Sequence, residues 1–217
     1  MTQSQDTGPP TSGSTRNPYL ALVIVAIIIV VVGALIWGLL QSAGPSLEEK
    51  PPTPGVGKRF TGLELQPLTG DVPPLSSADV QGQVVLLNFW GPWCPPCRRE
   101  LPHVAELAKR FADREDFRLA AISYPPGGQP GDVRLLREDT ANLLDALGLR
   151  LPTYYDSDNV TLTAIEPIIS FRGFPTTVLL DRQGMIRAVW VGYVPGTEDD
   201  IEQHIGKLLS EPAGEQK

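Results

Sequence analysis

Asn88-Phe89-Trp90-Gly91-Pro92-Trp93-Cys94-Pro95-Pro96-Cys97 is the stretch on which the reading of this chain turns. It contains both cysteines of a 217-residue sequence, three positions apart. As a structural crosslink such a pair is a poor choice, because a four-residue loop gives only roughly 2 kcal/mol of chain-entropy stabilisation. Stapled secreted domains spread several cysteines along the chain instead. The pair is therefore there for its reactivity. Upstream, Val84-Val85-Leu86-Leu87 is a continuous apolar run suited to a strand buried on both faces. Downstream, Leu101, Val104, Leu107, Ala108 and Phe111 recur at helical spacing. Cys94 thus falls at a helix start, where unpaired N–H groups and the helix dipole stabilise a thiolate. A lowered thiol pKa makes it the attacking group in thiol–disulfide exchange. Cys97, one turn on, can resolve the mixed disulfide. Pro95 and Pro96 are tolerated in the first turn and remove two donors from around the thiolate.

On the N-terminal side, residues 1–18 are rich in Thr, Ser, Gly, Pro and Gln and read as disordered. Residues 20–40 contain no charged or polar side chain, so a helix there reaches across the roughly 30 Å hydrocarbon core of a bilayer. The run is longer than a signal-peptide core, and Pro45 follows the small residues Ser42, Ala43 and Gly44. An uncleaved anchor over 19–40 is expected. Arg16 precedes it and Glu48, Glu49 and Lys50 follow, a bias that favours an inside N-terminus and an exported C-terminal domain. The proline-rich stretch 41–59 reads as a semi-extended tether.

From residue 60 to 210 the pattern is that of one α/β domain. Strands are expected at 83–89, 117–123 and 153–155, with a terminal hairpin of 176–181 and 185–191 around Arg182-Gln183-Gly184. Helices are expected from Cys94, over 133–147 with Gly148 beyond its end, weakly over 160–165, and over 197–209 with Thr197 as N-cap. Residues 211–217 read as a tail. The net charge of −7, without any basic stripe, argues against nucleic acid as a partner.

The active-site stretch resembles that of the thioredoxin superfamily. Pro102 matches the proline that kinks the family's active-site helix. Phe171-Arg172-Gly173-Phe174-Pro175-Thr176 resembles the loop carrying its cis-proline, with Gly184 and Gly192 at the later positions. The resemblance covers about residues 60–209 and implies a thioredoxin-like fold, a central mixed β-sheet flanked by helices. It implies a redox-active Cys94–Cys97 disulfide and a cis Pro175 beside the reactive sulfur, where client backbone can pair as an added strand. Trp93, Phe174, Pro95 and Pro96 would then shape the client-binding surface.

Two departures narrow the resemblance. Asn88 stands where cytoplasmic thioredoxin has a buried aspartate, and Glu100 lies one turn after Cys97 on the same helix face. With the anchor and Trp-Cys-Pro-Pro-Cys, the chain is similar to the TlpA/ResA-like exported thioredoxins. That similarity implies Glu100 as proton acceptor for Cys97, and a dithiol reductase of protein disulfides outside the cytoplasm. It further implies a membrane thiol-electron donor, and apocytochrome c as a frequent client of such proteins. No cofactor is implied. An oxidase or isomerase uses the same motif. A copper module holding metal between the thiolates is a second class, against which stands the lack of a nearby Met or His cluster. The Thr-x-x-Cys pattern of a peroxidase is absent around Cys94. Arg98 and Arg99 read as solvated charges and Trp90 as core. His103 and His204 match no zinc spacing with the cysteines.

Overall fold

The computed structural model describes residues 18–42, 53–129 and 131–212. The expected N-terminal tail up to residue 17, part of the tether (43–52) and the C-terminal tail from 213 lie outside these. The chain divides into two units, residues 1–50 and 51–217.

In the first unit, α1 (Pro18–Ser42) is a 25-residue helix with no acidic residue in its first turn and no basic residue in its last. Its described side chains from Leu22 to Trp37 are all exposed, including nine Val and Ile residues between Val23 and Val32. Among the described residues, no helix is long and apolar enough to cross a membrane. The helical backbone itself continues at both ends.

The second unit is built on a seven-stranded sheet in the order β2-β1-β5-β4-β3-β6-β7. Its strands are β1 (Glu64–Thr69), β2 (Leu75–Ser76), β3 (Val84–Trp90), β4 (Phe117–Ser123), β5 (Thr153–Tyr155), β6 (Thr176–Leu180) and β7 (Ile186–Val191). β3, β4 and β5 run parallel, and β6, β7, β1 and β2 pair antiparallel. The helices are α2 (Pro95–Arg110), α3 (Val133–Leu147), α4 (Val160–Ile169) and α5 (Thr197–Ser210).

All seven residues of β3 are buried, as a central strand covered on both faces requires. The period-2 alternation of a strand divides them. Val85, Leu87 and Phe89 join the core cluster with Leu162, Ile165 and Ile169 of α4. Val84 and Leu86 pack with Leu107 of α2 and Ile201, Ile205 and Leu208 of α5, and Trp90 packs with Leu101 and Val104 of α2. Asn88 lies on this second face, beneath α2. That placement fixes the functional site.

Several expectations gain detail. β1 and β2 were not legible in the sequence. α4 runs on to Ile169, through Pro167. Thr197 is not the N-cap of α5: Gly196 takes that position at φ 95°, and the Thr197 hydroxyl donates to Val194 O at 2.7 Å. Residues 57–59, assigned above to the tether, hydrogen-bond onto the hairpin: Gly57 N donates to Ile186 O and Ile186 N to Lys58 O.

The start of α4 rests on a buried carboxylate. Asp156 accepts from Thr161 N, Leu162 N and the Tyr124 hydroxyl at 3.2, 2.8 and 2.9 Å. Asp156→Ala leaves a buried hydroxyl and two helix N–H groups without an acceptor. It is expected to cost about 3 kcal/mol, read as a lower urea midpoint at unchanged m.

Candidate active site

α2 begins where β3 ends because Cys94 has extended φ/ψ (−90°, 111°) and caps the helix, with Pro95 and Pro96 filling its first two positions. Cys94 and Cys97 form a disulfide with Cα atoms 5.3 Å apart. Both are nearly buried, at 2% and 1% exposure. The Cys97 backbone N–H donates to Cys94 Sγ at 3.3 Å. The two intervening residues are prolines, so neither has an N–H to offer. Pro95 is exposed and Pro96 half-buried at the surface beside the sulfurs, and Arg98 and Arg99 are exposed.

Trp93 is 41% exposed yet held on two sides. Its indole N–H donates to Tyr124 O at 2.9 Å, and its ring meets Phe174 edge-on at 5.8 Å. Gly91 makes this possible: a Cβ there would lie 2.4 Å from the indole nitrogen and 2.7 Å from Tyr124 O. Phe174 packs against the cluster that includes both cysteines and also contacts Tyr124 and Phe171. The Phe174–Pro175 peptide bond is cis, and Pro175 is buried with its carbonyl accepting from Gly192 N at 2.8 Å.

Glu100 lies one turn beyond Cys97 on the buried face of α2, at 3% exposure. Below it, Asn88 of β3 is the antiparallel partner of Thr177 of β6. Asn88 Nδ2 donates to Glu100 Oε2 and to Thr177 Oγ1, both at 2.9 Å, and the Thr177 hydroxyl donates to Glu100 Oε1 at 3.4 Å. Asn88 Oδ1 has no hydrogen-bond partner among the described residues. The amide thus donates to the carboxylate and to the Thr177 hydroxyl, which itself donates to Glu100, a polarity that serves an anion.

Burial is the dominant influence on Glu100 and raises its pKa to about 7, against the lowering effect of the Asn88 and Thr177 hydrogen bonds. A carboxyl that titrates near neutrality can take and return protons at working pH. Asn88→Leu removes the main donor to the carboxylate. Its expected effect is to move Glu100 upward from about 7 by roughly one unit, read by carboxyl carbon NMR. An unchanged or lower midpoint contradicts the assigned role of Asn88.

The structure brings Trp93, Cys94, Pro95, Pro96, Cys97 and Phe174 to one surface region and sets Glu100 in the polar pocket of Asn88 and Thr177. The histidines go elsewhere. His103 meets Tyr193 and Glu198, and His204 meets Trp190 and Asp200. Among the described residues, no group of three or more His, Cys, Asp or Glu could hold a metal ion. Sequence reasoning missed Thr177 and Tyr124. Thr177 is two residues past Pro175, and only the β3–β6 register shows that it faces Asn88.

The pattern of the AhpC/TSA family matches residues 56–189, and the chain belongs to that family. Several of its relatives are named for thiol–disulfide chemistry. The thiol-disulfide oxidoreductase ResA of Geobacillus kaustophilus (strain HTA426) is 32% identical over 155 residues, covering 70% of this chain and 78% of that protein. The thioredoxin-like protein YneN of Bacillus subtilis (strain 168) is 27% identical over 179 residues, covering 82% and 93%. Among solved structures, a thiol:disulfide interchange protein of the thioredoxin family from Chlorobium tepidum TLS superposes with a TM-score of 0.53. It is 26% identical and covers 75% of this chain and 99% of that one.

Proposed function

We propose that the chain is a thiol–disulfide oxidoreductase that works as a dithiol reductase of protein disulfides. The observation that carries this is the Cys94–Cys97 pair at the start of α2, one turn from buried Glu100. In the reduced protein the Cys94 thiolate attacks one sulfur of a client disulfide, and the client's other sulfur leaves as a thiolate. Cys97 then gives its proton to Glu100 and attacks Cys94 Sγ, which releases the second client thiolate. Two electrons pass to the client, the active-site disulfide forms, and the two client thiolates take up one proton from Glu100 and one from solvent.

The two prolines after Cys94 favour the reducing direction, because they remove donors that a helix start would otherwise offer a thiolate. A strong oxidant has a stabilised reduced form. Here the Cys97 backbone N–H donates to Cys94 Sγ, and the two prolines between them supply none. A less stabilised reduced form favours the donation of electrons.

The uncharged run of residues 20–40 and the 25-residue backbone of α1 support a membrane anchor. Arg16 before it and the mixed charges after it support an exported C-terminal domain. Outside the cytoplasm the pair needs a membrane dithiol donor to stay reduced. The haem-attachment cysteines of apocytochrome c are the client class to test first. Mixing reduced protein with a disulfide-bonded test protein is expected to reduce one client disulfide per molecule. No transfer above a Cys94→Ser control would remove the reductase reading.

A further inference from the structure

Tyr124 follows the last residue of β4, with its side chain in the core and its backbone on the turn that leads to Cys94. The side chain is fixed on two sides. Its ring stacks on Phe89 with centroids 6.1 Å apart, and its hydroxyl donates to Asp156 at 2.9 Å. Held in this way, both backbone polar groups clasp the turn between β3 and α2. Tyr124 N donates to Trp90 O at 2.8 Å, and Tyr124 O accepts from Trp93 Nε1 at 2.9 Å. Within the same turn, Cys94 N donates to Gly91 O at 3.1 Å. A side chain at Gly91 would crowd both the indole nitrogen and Tyr124 O.

The Tyr124 ring also meets Phe174 at 5.3 Å, and Phe174 in turn meets Trp93 edge-on. Behind Phe174 lies buried Gly128, where a Cβ would stand 3.3 Å from two ring carbons. The Gly128 carbonyl accepts from Asn159 Nδ2 at 2.9 Å, which fixes that wall. The indole N–H, the one polar atom of the Trp93 side chain, is thus turned inward, and the exposed part of the ring offers a client apolar surface.

We propose that Tyr124 is a positioning residue that holds Trp93 and Phe174 as one fixed apolar contact beside Cys94, and that this contact selects clients with an apolar side chain next to the attacked cysteine. The inference rests on the disulfide-exchange reading of the Cys94–Cys97 pair. Tyr124 takes no part in the bond changes and acts through the two rings. Because the rings are fixed before a client arrives, little side-chain freedom is lost on binding. Loosening the clasp therefore weakens client binding more than it slows the chemical step.

The test is steady-state reduction of two disulfide-bonded peptides by the full-length protein, with a small dithiol as electron source. One peptide carries leucine beside the attacked cysteine and the other glycine. Wild type is expected to show a KM about tenfold lower for the leucine peptide. Tyr124→Leu removes the ring and the hydroxyl, and is expected to raise that KM about tenfold, with a much smaller change in kcat. Tyr124→Phe keeps the ring and recovers most of the loss. Gly91→Ala pushes the indole off Tyr124 O without touching the packing of Tyr124, so it gives the same result should Tyr124→Leu fold poorly. The Trp93 indole N–H signal, assigned by its disappearance in Trp93→Phe, is expected to exchange with solvent about tenfold faster in Tyr124→Leu and Gly91→Ala. A purely structural role would lower stability without altering the preference between the peptides. An unmoved KM ratio, or unmoved indole exchange, in both variants would overturn the proposal. Failure of wild type to reduce either peptide would remove the reductase reading and the client preference with it, while indole exchange still decides whether Tyr124 holds Trp93.

Discussion

Cys97→Ser is expected to lower multiple-turnover exchange by about a thousandfold or more while Cys94 remains able to attack. The variant should accumulate as a mixed disulfide, because the group that would release the client is gone. Cys94→Ser should lose the activity and trap nothing, since the sulfur that attacks is absent. The asymmetry depends on position: Cys94 caps α2 and accepts from Cys97 N, whereas Cys97 lies within the helix. Trapping in intact cells also identifies the client, as the protein covalently held on Cys94. Equal trapping by both variants would contradict the division of roles.

The second large effect concerns Glu100 and stability. Its pKa is raised from 4.5 to about 7, so the folded protein binds a proton that the unfolded chain releases between those values. Stability from this group is full below 4.5 and falls as pH rises through 7. The loss is about 3 kcal/mol across that window. Glu100→Gln keeps the shape without the titration, so wild type should weaken by that amount relative to the variant between acid and neutral pH. Asp116 behaves oppositely, held below the usual carboxylate range by Arg114, with Arg182 assisting. Its contribution is present above the unfolded pKa and is lost as pH falls through the folded one, so the two effects occupy separate windows. Parallel urea midpoints of wild type and Glu100→Gln from pH 4.5 to 8 would rule out a buried, neutral-titrating carboxyl.

Much of this site was readable before the fold. The apolar run of 84–87, the helical spacing after Cys94 and the three-residue step from Cys97 to Glu100 are local patterns, and local periodicity survives in a sequence. Asn88 was visible as an unusual polar residue in a buried strand. Its partner Thr177 was not, because strand register is set by tertiary pairing across 89 residues of chain. β1 escaped for a different reason. Glu64–Thr69 carries Pro67, and its pairing with β5 shifts register between Pro67 and Thr69, so the alternation that marks a strand is broken there. β2 has two residues and no pattern to read. The N-cap of α5 was misplaced by one residue because Thr197 has the side chain of a cap, while only glycine readily takes the positive φ of position 196.

Glu100 also shows how a sequence-level carboxylate acquires chemistry. On α2 it is one of three consecutive charged residues, after Arg98 and Arg99. The helix turns the two arginines to solvent and the glutamate inward, where Asn88 and Thr177 receive it. Burial then supplies the shift that makes it useful near neutral pH.

The central claim is that Cys94 and Cys97 form an electron-donating pair, and its most direct test is their reduction potential. Equilibration of the full-length protein against defined dithiol–disulfide buffers gives that value from the fraction of pair oxidised. With one backbone donor to Cys94 Sγ and two prolines between the cysteines, the potential is predicted near that of thioredoxin, about −270 mV. A value near about −120 mV, typical of the strong oxidants, would contradict the reductase assignment.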